Sequence, residues 1–88
     1  MNLFSIVYTE EALKELKHIP KKQVAKIISK IELLAGNPYP SGVKKLKGKM
    51  DLQRIRVGDY RVIYSIEKNI LLIEVIRIRH RKDVYDNL

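Results

Sequence analysis

Apolar residues change their spacing along this chain, and each change marks an element. Leu3 to Tyr8, Leu-Phe-Ser-Ile-Val-Tyr, reads as a first strand. Thr9 can cap a following helix, with Glu10 and Glu11 in its first turn, where the helix dipole favours acids. Leu13 and Leu16, with Ala12 and Ile19, form a short apolar stripe over residues 9–18. Pro20 suits the first position of a second helix. There Val24, Ile27, Ile28, Ile31, Leu34 and Ala35 recur at the i, i+3, i+4, i+7 spacing of one buried face. Gly36-Asn37-Pro38 stops that helix. A short loop, residues 37–42, and a basic segment from Val43 to Lys49 lead into β-type sequence.

The period is two from Arg54 to Tyr64, Arg-Ile-Arg-Val-Gly-Asp-Tyr-Arg-Val-Ile-Tyr. This reads as a hairpin turning at Gly58-Asp59, with Gly supplying the positive φ that a two-residue turn needs. Such a turn sets Val57 opposite Tyr60, Arg56 opposite Arg61 and Ile55 opposite Val62. Arg54, Arg56 and Arg61 then share one face, and Ile55, Val57, Tyr60, Val62 and Tyr64 share the other. Ile70 to Arg79 is β-branched and forms the last strand, entered by a turn at Lys68-Asn69. The chain ends Arg-His-Arg-Lys-Asp-Val-Tyr-Asp-Asn-Leu, with room for one helical turn.

The expected fold is α+β, in the order β-α-α-β-β-β. An N-terminal antiparallel helix hairpin covers the apolar face of an antiparallel sheet and leaves the basic face open. Its 88 residues suit a single domain, residues 1–88, with one modest core.

Composition narrows the chemistry. Without cysteine there is no disulfide framework, thiol nucleophile or cysteine-rich zinc site. Two histidines far apart in sequence make a poor zinc site, and no carboxylate cluster favours a metal-assisted route, so neither metal nor cofactor is expected. No apolar run has the length of a membrane span and no signal-peptide pattern opens the chain, so a cytoplasmic protein without a membrane partner is expected.

The formal charge is +8, and all six arginines fall between positions 54 and 81. Residues 44–61 hold Lys44, Lys45, Lys47, Lys49, Arg54, Arg56 and Arg61 against Asp51 and Asp59, a local excess of +5. A patch of that kind suits a polyanion such as nucleic acid, although an acidic protein or plain solvent would serve it too. Arg56 opposite Arg61 is unfavourable in itself. Either both side chains splay into water, or an anion belongs between them, since guanidinium groups fork onto phosphate oxygens.

Cleaving RNA without a metal requires a base for the 2′-OH, charge stabilisation for the phosphorane and a proton for the 5′-oxygen. His80, whose imidazole could act as acid or base, lies between Arg79 and Arg81, whereas His18 ends a helix and reads as structural. Tyr85, with a reference pKa of ~10, becomes a base only where cations favour its phenolate; otherwise it is a packing residue. A two-residue turn at Lys68-Asn69 would put Arg61 opposite Ile76. Ile76, Ile78 and His80 would then join the arginine face, and Arg77, Arg79 and Arg81 would fall on the other. A bulge would change this assignment.

Three segments carry a family resemblance: Lys-Leu-Lys-Gly from Lys45, the hairpin sequence from Arg54, and Ile-Arg-His-Arg-Lys-Asp-Val-Tyr ending at Tyr85. Together they resemble the RelE/ParE superfamily of small toxins, most of all the RelE-type mRNA interferases, in element order and length over nearly the whole chain. The resemblance implies a RelE-like fold and a toxin of a type II toxin–antitoxin pair. Such toxins are ribosome-dependent, metal-independent endoribonucleases that cut mRNA in the A site by 2′-OH attack and so inhibit translation. It also implies a cognate RelB-like antitoxin, ribosome and mRNA as partners, and operator DNA only through the antitoxin complex.

By resemblance, Arg54, Arg56 and Arg61 hold and stabilise the phosphate, Arg81 is the general acid and Tyr85 the general base. Lys44, Lys45, Lys47 and Lys49 extend the RNA-binding surface. His80 matches a histidine that other RelE-like toxins use nearby, so Tyr85 and His80 stand as alternatives. Some relatives carry lysines where this chain has Arg54 and Arg56, and arginine there points to charge stabilisation instead of proton transfer. The alternative functions are a ParE-like gyrase inhibitor and a non-catalytic, antitoxin-binding corepressor.

Overall fold

A computed structural model describes residues 3–46, 48 and 51–84, with side chains as far as Lys82. Of the candidate residues, Lys47, Lys49 and Tyr85 lie outside the described residues. Strand β1 (Ser5–Tyr8) leads through helices α1 (Glu10–Lys17) and α2 (Lys21–Leu33) to β2 (Lys44–Lys45), β3 (Leu52–Val57) and β4 (Tyr60–Glu67). Strand β5 (Leu72–His80) and a last helical turn, α3 (Arg81–Val84), complete the order. The sheet runs β1-β5-β4-β3-β2. Strands β2 to β5 pair antiparallel, and β1 lies parallel to β5 at the opposite edge.

Helix α1 begins where the sequence places a cap, with the Thr9 hydroxyl accepting the Ala12 N–H at 3.1 Å. Its apolar stripe departs from expectation: Ala12 is fully buried and Leu13 is exposed. The reason is position, because α1 lies along the free edge of β5 beyond the end of β1. Thr9 and Glu15 bond the β5 backbone there. Helix α2 follows its periodicity, with Ile27 and Ile31 buried and Leu34 closing the stripe. These side chains meet Ile55, Val57, Val62, Tyr64, Ile66, Ile73, Val75 and Ile78 from the sheet in one core. Each such burial contributes about 1.5–3 kcal/mol against the entropy of ordering the chain.

The β3–β4 hairpin has the expected register, with Arg56 opposite Arg61 and Val57 opposite Tyr60. Gly58 takes φ +59°, the left-handed value that a tight turn demands. The β4–β5 connection differs from the expected two-residue turn. Lys68–Ile70 form a 3₁₀ turn, Leu71 adopts φ +50°, and Glu67 pairs with Leu72. A bulge then falls at Ile76: Tyr64 pairs with Val75, but Ile63 pairs with Arg77. The longer turn alone would leave the expected faces unchanged. The bulge inverts them, so Arg61 pairs with Arg79 and Tyr60 with His80.

Candidate functional site

Residues in register across a sheet share a face, and three strands therefore build one row of guanidinium groups, Arg56–Arg61–Arg79. One rung further from the Gly58 turn, Lys44, Arg54, Ile63 and Arg77 form a second row. With strands about 4.8 Å apart, the first row places three cations within roughly 10 Å of backbone. Ile63 is buried on this face, apart from the core that the helices cover.

Local contacts fix the cations differently. Arg56 directs Nε at the Gly58 carbonyl and Arg61 directs a terminal nitrogen at the Tyr60 carbonyl, both at 3.4 Å. Arg77 is drawn away to Glu15, with two Nε contacts of 3.3 and 3.2 Å and one of 3.0 Å from its terminal nitrogen. The Glu15 hydrogen bond, and then its charge, raise the Arg77 pKa above the ordinary arginine value. Arg81 opens α3, where its N–H donates to the Asp59 carbonyl at 2.7 Å. Its Nε stands 3.9 Å from the Asp59 carboxylate. The hairpin tip and the start of the C-terminal turn are thereby joined beside the arginine row.

His80 is not on the arginine face, contrary to the two-residue-turn expectation. Its ring meets Tyr60 edge-on, with centroids 5.4 Å apart, on the side facing the helices. Its Nδ1 accepts the Lys82 N–H at 3.2 Å. A small cavity of about 240 Å³ there is lined by Glu15, His18, Ile19, Tyr60, Ile78, Arg79 and His80, so Arg79 borders it as well as standing in register with Arg61. Arg79 is the residue that the sequence reading misplaced. Its signal was the adjacent pair Val75-Ile76, where apolar residues switch from odd to even positions within one strand. That switch marks a bulge.

The lysines divide by register: Lys44 lies opposite Arg54 and Lys45 opposite Gln53. Lys45 instead helps hold Asp51 below the usual carboxylate range, where hydrogen bonds from Tyr39 and Gln53 do most of the work. Next to the arginine row, a groove of about 470 Å³ runs between α2 and β3, lined by Lys30, Leu33, Leu34, Pro40, Ile55 and Arg56 among others. Among the described residues, no three His, Asp or Glu gather as metal ligands, and no helix is long and apolar enough to cross a membrane. The arrangement can hold an anion against an open sheet face and neutralise charge that builds on it.

Residues 6–85 match the family described as ParE toxin of the type II toxin-antitoxin system. The chain is 35% identical over 85 residues to toxin RelE3 of Methanocaldococcus jannaschii, covering 92% of this chain and 94% of that protein. The archaeal RelE–RelB complex of Pyrococcus horikoshii superposes with a TM-score of 0.82 at 30% identity, covering 90% of this chain and 96% of that one. The RelB–RelE complex of Methanococcus jannaschii gives 0.73 at 29% identity, covering 93% and 98%. The chain therefore belongs to the RelE/ParE superfamily, as a RelE-family toxin of a type II toxin–antitoxin system.

Proposed function

We propose that this toxin is a ribosome-dependent endoribonuclease that cuts mRNA in the A site. The observation that carries the reading is the row Arg56–Arg61–Arg79 on an open face. Guanidinium groups that share one face can converge on a single anion and neutralise charge that builds on it. A phosphodiester has the charge and the fork geometry to be that anion.

In the proposed reaction the 2′-oxygen attacks the adjacent phosphorus as its proton leaves. The phosphorane carries added negative charge, which the three guanidinium groups neutralise. Collapse expels the 5′-oxygen, which takes up a proton, and leaves a 2′,3′-cyclic phosphate. Tyr85 is the proposed base, since His80 stands on the other face and uses Nδ1 to accept from Lys82. Cations close to a phenol would favour its phenolate. Arg81, beside the Gly58-Asp59 turn, serves the leaving oxygen, and Arg54 and Lys44 hold the neighbouring backbone of the RNA.

The proposed partner in the resting state is a RelB-like antitoxin, because the similar toxins of P. horikoshii and M. jannaschii were solved with RelB. Operator DNA would be met only through that complex. A cytoplasmic setting goes with ribosome dependence.

Primer extension on mRNA translated in vitro tests the activity, with ribosomes present or omitted. Cuts are expected only with ribosomes, and Arg61→Ala should reduce them by about 10²–10³-fold while the fold persists. Folded protein that makes no cuts under either condition would overturn the reading. Blocked DNA supercoiling with intact mRNA would then point to gyrase.

A further inference from the structure

Strand β5 could have run on without its bulge. Continuing the Tyr64–Val75 register would pair Ile63 with Ile76, Val62 with Arg77, Arg61 with Ile78 and Tyr60 with Arg79. Arg79 would then turn towards the helices and an isoleucine would stand in the arginine row. The row exists because one extra residue is accommodated at Ile76.

A bulge disrupts the ladder and leaves backbone groups in need of partners. On the β1 side of β5 the need is acute, because β1 ends at Tyr8, opposite Val75. Helix α1 supplies what a strand would have supplied. The Thr9 N–H donates to the Val75 carbonyl at 3.0 Å, and the Thr9 hydroxyl donates to the Ile76 carbonyl at 2.7 Å. Glu15 accepts the Ile78 N–H at 2.8 Å and holds the Arg77 guanidinium with the same carboxylate. Those two side chains bond the backbone groups on both sides of Arg77, within three residues of Arg79.

We propose that Glu15, with Thr9, is a positioning residue: it stabilises the bulged register and so keeps Arg79 in line with Arg61. The catalytic consequence rests on the reading of the arginine row given above. Glu15 stands on α1 beside β5, where its carboxylate is engaged by the Arg77 guanidinium and the Ile78 N–H. Its effect travels through the Ile78 N–H and the two residues of strand that follow. A displacement of about 1 Å at a reacting centre can cost roughly 10²-fold in rate.

Two readouts on Glu15→Ala and Glu15→Gln test this. Cross-strand backbone contacts in the uncomplexed toxin, read by NMR, report the register. Ribosome-dependent cleavage, resolved into kcat and KM, reports the consequence. In Glu15→Ala the Arg61–Arg79 contact should be lost or averaged while Ser65–Glu74, before the bulge, persists. Its kcat should fall by about 10²-fold with a smaller change in KM. Glu15→Gln keeps an oxygen for the Ile78 N–H and should restore the contact and most of the cleavage. A folded Glu15→Ala with the Arg61–Arg79 contact and full cleavage would overturn the proposal. Should Glu15→Ala not fold, Glu15→Gln decides: a folded protein lacking the contact is equally fatal. If the wild-type toxin cuts no RNA, the catalytic reading fails alone, and the NMR contacts still decide whether Glu15 holds the register.

Discussion

The two ends of the β3–β4–β5 meander, one on each side of the bulge, treat charge in opposite ways. At the end near Gly58, cation stands opposite cation in Arg56–Arg61–Arg79. At the far end the cross-strand and loop contacts bring an acid together with donors and a cation. Asp51 accepts Tyr39 Oη–H at 2.5 Å and Gln53 Nε2 at 2.6 Å, and Lys68 lies over the Tyr39 ring at 5.1 Å. Tyr64, fully buried, donates to the Pro38 carbonyl at 2.6 Å. The far end holds the loop 37–42 against the sheet and is built for stability. Where local rules of sheet pairing are broken on an otherwise consistent fold, function is the expected cause.

The comparison breaks most visibly at Tyr64. Tyr64→Ala removes a buried ring and leaves the Pro38 carbonyl without its donor. It should cost about 3–5 kcal/mol in chemical denaturation, a large share of the ~5–15 kcal/mol that holds a domain together. Within the near end, Arg79→Ala should leave the denaturation midpoint unchanged or higher and lower ribosome-dependent cleavage by about 10²-fold. Arg81→Ala should cost less, because Arg81 lies outside the row and against Asp59. The reverse order, with Arg81→Ala the more damaging, would remove the bulge from the account of the site.

How much of this was legible without coordinates differs along the chain. The α2 stripe was readable because a long amphipathic helix repeats its signal over several turns. The Gly58-Asp59 hairpin was readable because a two-residue turn fixes register, and Arg56 opposite Arg61 followed at once. Leu13 was misread because the stripe cannot say whether a helix lies on a sheet or along its edge. His80 and Arg79 were exchanged between faces because register accumulates every error upstream. The 3₁₀ turn added two residues, which changed nothing about faces, and the bulge added one, which changed everything beyond it. The Glu15–Ile78 bond that accompanies the bulge is long-range, and no spacing rule reports it.

The like-charge rung has its own signature in salt. Arg56→Gln relieves Arg56–Arg61 repulsion and should raise stability by about 0.2–1 kcal/mol at low ionic strength. At 1 M salt, where the screening length falls to about 3 Å, the gain should vanish. Thermal melts of both proteins across a salt series measure it. A gain that persists at high salt would mean that Arg56 is held by packing instead of opposed by charge, and the contrast between the two ends would weaken.

The smallest expected effect lies at the far end and has a defined sign at each extreme of pH. Burial, then the hydrogen bond to Asp51 and its charge, push the Tyr39 phenol up to about 12. A group whose folded pKa is raised stabilises the fold below its unfolded pKa, here ~10. That contribution is lost as the pH rises through the folded value. Asp51 shifts the other way, chiefly through the Tyr39 hydrogen bond. Its contribution is present above the unfolded value of ~3.9 and is lost as pH falls through its lower folded pKa. Both shifts share one bond, so Tyr39→Phe should flatten the stability profile at both ends: it removes the Tyr39 share of the alkaline loss, leaving that of Tyr8 and Tyr64, whose phenols burial also pushes up, and it removes the largest cause of the acid one. Denaturation midpoints collected from acid to alkaline pH for wild type and Tyr39→Phe check this. If Tyr39→Phe flattens only the alkaline limb, Gln53, Lys45 and Lys68 suffice to hold Asp51 ionised, and the far end is then secured by its charges more than by the tyrosine.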